Sequence, residues 1–199
     1  MGTPHLEVVA DSRLSSPSDE IPLSDEALML AIAADDIHAF AELVRRYEQA
    51  VRRFCAAIIY DDALGRDVAQ EVFLRLWRLR FRYRSQGKLR QLIFVIARNL
   101  SRSARRRQML RGLWQDSGAR PEASLETDPD GTIDRQRLVR GALGQLDRRY
   151  RLPVALRYFG GLDYEEIAAV MGLNTSTTRS RVFYGLKRLA ELLAGEELR

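Results

Sequence analysis

Cysteine and histidine are nearly missing from this chain of 199 residues: Cys55 stands alone, and His5 and His38 are its two histidines. A lone cysteine excludes an intramolecular disulfide, and so small a Cys/His set excludes a zinc-type ligand cluster. Cys55 falls in an apolar helical pattern and reads as a small packed hydrophobe. A Ser/His/Asp set and a glycine-rich phosphate loop are lacking as well, so no catalytic residue, metal or cofactor is expected. No apolar run approaches the length of a bilayer span, and the N-terminus lacks the basic-then-apolar signature of a signal peptide. These absences predict a soluble, cytoplasmic protein without membrane insertion. Strand-like alternation and internal repeats are missing too, which leaves an all-α chain.

Acidic residues are absent over one long stretch. From Val72 to Gln115 there are thirteen Lys or Arg and no Asp or Glu. The formal charge of +5 already suits an acidic polymer as partner, but this concentration of cations says more.

What is present reads as two small helical domains joined by a flexible linker. Residues 1–23 are polar and aperiodic and are expected to form a disordered tail. Ser24 then caps a short helix, Asp25 to about Ala34. Asp36 caps a longer one in which Phe40, Leu43, Val44, Tyr47, Val51, Phe54 and Ile58 recur at three and four. Asp62 opens a third helix, about Ala63 to Leu79, with Val68, Val72 and Leu76 inward. After the loop FRYRSQGK, Phe81 to Lys88, a fourth helix runs to about Met109 and buries Leu89, Leu92, Ile93, Ile96 and Leu100. Residues 24–111 form the first domain. Residues 112–131, including DSGARPEASLETDPDG with five acids against one arginine, form an acidic tether. Residues 132–199 form the second domain, where Leu138, Leu143 and Leu146 resume the helical pattern. A further helix covers about Arg148 to Phe159, with Pro153 inside it removing one hydrogen bond.

The segment LDYEEIAAVMGLNTSTTRSRVFYGLKRL, Leu162 to Leu189, has the spacing of a helix-turn-helix. Asp163 and Glu166 make a capping box. Gly172 suits the positive φ of the turn, and Asn174 caps the second helix. Thr178, Val182, Leu186, Leu189 and Leu193 are its expected buried stripe, with Thr178 needing an intrahelical acceptor. The opposite face presents Ser176, Arg179, Ser180, Phe183, Tyr184 and Lys187. Hydroxyls, a cation and rings near a helix N-terminus are what a recognition helix brings to base edges and phosphates.

DVAQEVFLRLW, Asp67 to Trp77, followed by LIFVIARNLSRSARRR, Leu92 to Arg107, resembles region 2 of bacterial sigma factors. The C-terminal helix-turn-helix resembles region 4. In this order, without a third domain between them, they make the chain similar to the extracytoplasmic-function (ECF, group IV) sigma factors of the sigma-70 family. The resemblance covers about Ser24 to Leu193. It implies a non-catalytic subunit that binds core RNA polymerase, directs it to promoter DNA and helps open the duplex. It also implies an anti-sigma factor as a further partner.

The residues follow from the matching motifs. Asp67, Gln70, Glu71, Leu74 and Trp77 would bind core polymerase. Tyr83, Arg84, Ser85, Gln86, Lys88, Arg98, Asn99, Arg102, Arg105 and Arg106 would meet the minus-ten element. There rings and amides suit unstacked bases, and cations hold the backbone. Ser176, Arg179, Ser180, Arg181, Phe183 and Tyr184 would meet the minus-thirty-five element. The chain departs from its relatives at Gln91, where an aromatic is usual, and at Leu89, where Phe is usual. It departs again at Ser176 and Thr178, where Gly and Val are usual. A competing class is a helix-turn-helix regulator that is not a polymerase subunit, but the βα pattern of a receiver domain is missing.

Overall fold

A computed structural model describes residues 23–84, 86–114 and 132–197. The expected N-terminal tail through residue 22, Ser85 and most of the expected tether, 115–131, lie outside them. The described residues form eight helices and no strand. These are α1 (Asp25–Ala33), α2 (Ile37–Ile59), α3 (Asp62–Leu79), α4 (Leu89–Trp114), α5 (Thr132–Gln145), α6 (Arg148–Tyr158), α7 (Tyr164–Met171) and α8 (Thr175–Glu197).

Short polar side chains start these helices by accepting from backbone N–H groups that have no partner in the first turn. Ser24 caps α1, Asp36 caps α2, Asp61 caps α3 and Asp147 caps α6. The third cap is one residue earlier than the expected opening at Asp62. Helix α4 runs on to Trp114 rather than ending near Met109. Its last residues hold no proline, and a single Gly112 costs a helix only about 1 kcal/mol.

Helix α2 is the centre. Leu43, Tyr47, Val51, Phe54 and Ile58 are buried, as the spacing predicts, against α1, α3 and α4. Phe54 meets Phe94 of α4 edge to face, with ring centroids 5.4 Å apart. Phe94 was not among the expected core residues, yet it is fully buried. Leu92 and Leu100, expected inside, are only half-buried.

The stripe of α8 is corrected at one place. Leu186 is 42% exposed, and Gly185 faces inward instead. A Cβ on Gly185 would lie 2.5 Å from Val154 Cγ2, so α6 and α8 approach too closely there for any side chain. The buried line thus passes through Thr178, Val182, Gly185 and Leu189. Leu138 of α5 also lies outward, at 39% exposure.

The two helical domains that the sequence predicts pack against each other here. In the structure Phe54, Ile93 and Phe94 share one buried cluster with Leu156, Leu162, Ile167, Val170 and Val182. A second cluster joins Ala57 of α2 to Leu143, Leu146, Val154 and Leu189. Polar contacts reinforce the junction. Tyr60 donates to the Gly144 carbonyl at 3.2 Å, Arg140 pairs with Asp62, and Arg98 donates to the Val170 carbonyl. The reason is local. Small and apolar positions of α2 and α4 continue around each helix beyond the stripe its own domain needs, and the second half covers them.

Arg151 of α6 ties the end of α5 in place and meets the Tyr60 ring of the first half at 4.6 Å. It is 8% exposed, and it donates to the carbonyls of Leu143 at 2.8 Å, Gly144 at 2.6 Å and Leu146 at 2.5 Å. These carbonyls end α5, where the last turn lacks intrahelical donors. Burial pushes the guanidinium pKa down, but the fork of donors compensates. Arg151→Ala should strand these acceptors and lower the unfolding free energy by about 2–3 kcal/mol, read from urea midpoints. Arg151→Lys, a single point charge, should recover only part. An unchanged midpoint would show that the three bonds contribute nothing.

Candidate polymerase and nucleic-acid interfaces

Helix α3 buries Val68, Ala69, Val72, Phe73 and Leu76, which turns its other side to solvent. Asp67, Gln70 and Leu74 are exposed there, at positions that share one helix face, and Glu71 beside them is half-buried. Glu71 pairs with Arg78 at 3.1 Å. Trp77 is less free than its motif suggests. Its ring lies 4.9 Å from that of Phe40, and the Arg80 guanidinium sits 4.3 Å above it. Arg80 in turn pairs with Asp35 at 2.7 Å and lies 4.0 Å from the Phe81 ring. The available surface is therefore an acid, an amide and a leucine, rimmed by a stacked aromatic end.

The loop after α3 divides its side chains. Arg84, Gln86 and Lys88 are exposed, and Gly87 takes φ +66° to turn the chain into α4. Tyr83 is half-buried against the core, and its hydroxyl donates to Glu26 Oε1 at 2.7 Å. The ring expected to stack on bases is thus tied to α1. Phe81, 64% exposed, is the bare ring of this loop, and it was not among the candidate site residues. The alternating aromatic and cationic residues of FRYR were the signal for it.

On α4, Asn99, Arg102 and Arg106 are exposed, as a nucleic-acid face requires. Arg98 and Arg105 are not on that free face. Arg98 is half-buried and reaches the carbonyl of Val170 on α7; burial first, then the neighbouring Arg102 charge, lowers its pKa. Arg105 lies 4.8 Å from the Tyr60 ring and donates to the Ile58 carbonyl at 3.4 Å. Leu89 is buried, and Gln91 is half-buried.

The helix-turn-helix is built as its sequence dictates. Asp163 accepts from the Glu166 N–H and Glu166 from the Asp163 N–H, both at 2.8 Å. Gly172 has φ +67°, where a β-carbon would be strained. Asn174 Oδ1 accepts from the Thr177 N–H at 2.7 Å. Thr178 is fully buried, and its hydroxyl donates to the Asn174 carbonyl at 3.0 Å, the acceptor its position demanded. These bonds aim one face outward: Ser176, Arg179, Ser180, Phe183 and Tyr184 are exposed, and Arg181 is half-buried. The Phe183 and Tyr184 rings meet at 5.4 Å, nearly perpendicular.

Among the described residues, no group of three or more His, Cys, Asp or Glu is placed to hold a metal ion. No described helix is long and apolar enough to cross a membrane. Cys55 is buried, and burial pushes its thiol up to about 12.

Two phenols hold α1 to the first half. Tyr47 donates to Asp25, and Tyr83 to Glu26. Burial, then the bonded carboxylate, raises both pKa values above the ordinary 10.0, Tyr47 to about 12. A raised phenol pKa adds stability that is complete below pH ~10 and is lost as pH climbs through the folded-state value. Urea midpoints should therefore fall between about pH 10 and 12. They should fall less steeply in Tyr47→Phe/Tyr83→Phe, leaving the slope that Cys55 contributes. Identical slopes would exclude the two phenols as its source.

Comparison with known proteins agrees with this arrangement. Residues 43–111 match the family model of Sigma-70 region 2, and residues 136–189 match that of Sigma-70, region 4. The chain is 30% identical over 196 residues to the ECF RNA polymerase sigma factor SigE of Mycolicibacterium smegmatis, covering 96% of this chain and 75% of that one. In fold it is similar to the sigma factor RpoE solved with the anti-sigma factor NepR from Bartonella quintana. That pair gives a TM-score of 0.68 at 24% identity, over 79% of this chain and 98% of the other. It is similar also to CnrH, solved with the cytosolic domain of CnrY, with a TM-score of 0.65 at 23% identity over 86% and 97%. With both family regions in order and a relative matched across nearly the whole of this chain, the chain belongs to the ECF RNA polymerase sigma factors of the sigma-70 family.

Proposed function

We propose that this chain is an alternative sigma factor of group IV, a non-catalytic, cytoplasmic specificity subunit of RNA polymerase. It binds core polymerase, directs it to specific promoters and assists their opening. One observation carries the reading. A capped recognition helix with an exposed donor and aromatic face shares a chain with an acid-free cationic helix and its polar loop. The first suits duplex DNA, and the second suits melted strands.

Residues 24–111 would serve polymerase and the minus-ten element, and residues 132–199 the minus-thirty-five element, with 112–131 as the tether. Asp67, Gln70, Glu71, Leu74 and Trp77 would face polymerase, with the exposed polar side of α3 supporting that assignment. Arg84, Gln86, Lys88, Asn99, Arg102 and Arg106 would meet the opened element, with Tyr83 and Ser85 in the same loop. Arg98 and Arg105 join them when their internal contacts are released. Arg179, Ser180, Phe183 and Tyr184 would read base edges, with Ser176 and Arg181 toward the backbone.

This reading requires the two halves to part. Elements about twenty-five base pairs apart lie ~85 Å apart, whereas a globule of this length is roughly 40 Å across. The stretch from 115 to 131, after the end of α4, reaches at most ~60 Å, which with the domains themselves spans the gap. Core polymerase would supply the free energy of separation. One solved neighbour is bound to the anti-sigma factor NepR, and a partner of that kind is the natural holder of the closed form here. A stand-alone regulator accounts for α7 and α8 but leaves the exposed α3 stripe and the α4 cations without a purpose.

Run-off transcription with core polymerase on genomic promoter fragments tests the proposal. Defined transcripts should appear only when the chain is added. Gln70→Ala/Glu71→Lys should weaken the complex with core about tenfold or more, with helicity and melting unchanged. Duplex promoter binding by the chain alone, with no transcript in the presence of core, would favour the regulator.

A further inference from the structure

Tyr164 opens α7 and belongs to none of the surfaces above. Two guanidiniums lie over its ring, Arg157 at 5.2 Å and Arg179 at 5.5 Å from the centroid. Arg157 is tied down independently, donating to the Leu162 carbonyl at 2.7 Å. The ring is half-buried and packs against the core cluster. Its backbone is set by the adjacent capping box at Asp163, and that of Arg179 by the Asn174 cap and the Thr178 hydroxyl just before it. Arg179 itself is exposed, and its guanidinium meets the Tyr164 ring.

An exposed arginine samples many rotamers, and each contact it makes with DNA is weakened by the freedom it loses. A ring held at its backbone by the capping box, packed on the core and lying under the guanidinium removes part of that freedom beforehand. We propose that Tyr164 is a positioning residue for promoter specificity. Its ring holds the Arg179 guanidinium in the orientation that makes a paired contact with guanine in the major groove, at one base pair of the upstream element. The proposal rests on Arg179 being a base reader.

The test uses holoenzyme reconstituted from core polymerase and the full chain. Transcript yield is read on a panel carrying every single base-pair change across the upstream element. Arg179→Ala should abolish a preference of roughly 5- to 100-fold at one base pair. Tyr164→Ala should shrink that same preference by about two- to fivefold and leave other positions unchanged. Tyr164→Phe keeps the ring and should keep the preference. Tyr164→Ala/Arg179→Ala should lose no more discrimination than Arg179→Ala alone. Even losses across the panel, a shift at a different base pair, or a Phe variant as poor as Ala would overturn the positioning role. If Arg179→Ala flattens the preference and Tyr164→Ala does not, the positioning role fails alone. If Arg179→Ala leaves every preference intact, the reading of Arg179 fails and the proposal with it.

Discussion

The ring of Tyr60 is the point on which the arrangement of the two halves depends. It ends α2 with φ +68°, a left-handed backbone that costs an aromatic residue on the order of 1–3 kcal/mol. That conformation persists because the ring is held from every side. Arg105 of α4 lies 4.8 Å from its centroid and Arg151 of α6 lies 4.6 Å away, while its hydroxyl bonds the end of α5. One residue thus connects the helix at the centre of the first half to two helices of the second. The buried clusters on either side then close over helix faces that would otherwise be wet.

The same contacts bear on the chemistry. Arg98 and Arg105, proposed above as DNA contacts, here bond backbone carbonyls or stack on Tyr60. Asn99, Arg102 and Arg106, on the adjoining face of α4, remain exposed. The closed body therefore carries a reduced downstream surface beside an intact recognition helix, whose outward face needs no rearrangement. On the proposed function, parting the halves would free these internal arginines for DNA.

Local signals were the most legible part of the fold. Ser24, Asp36, Asp163, Gly172 and Asn174 each dictate a backbone event within a few residues, and each occurs where the side chain demands it. Thr178 even declared its acceptor. Long-range packing was less legible, because periodicity shows that a face is apolar but not what covers it. The stripe through Leu186 failed since α6 approaches so closely that glycine, not leucine, must face it. The shared core failed to show because the charge change near residue 116 looks the same whether the domains lie apart or together. In the candidate site, residue type told which side chains suit bases. Whether Tyr83 or Phe81 is the exposed ring depends on Glu26, some fifty-seven residues earlier in the chain.

The central claim is that one chain reads DNA in two states, duplex through α8 and single-stranded through the loop and α4. The most direct measurement compares Arg179→Ala with Asn99→Ala in holoenzyme, on a fully paired promoter and on one already melted at the downstream element. Transcript yield and permanganate reactivity of the opened strand are both read. The account predicts that the melted template substantially restores Asn99→Ala, whose partner is an unstacked base. It should leave Arg179→Ala impaired, since the upstream duplex is unchanged. Equal restoration of both variants would contradict the separation of duplex and single-strand readers.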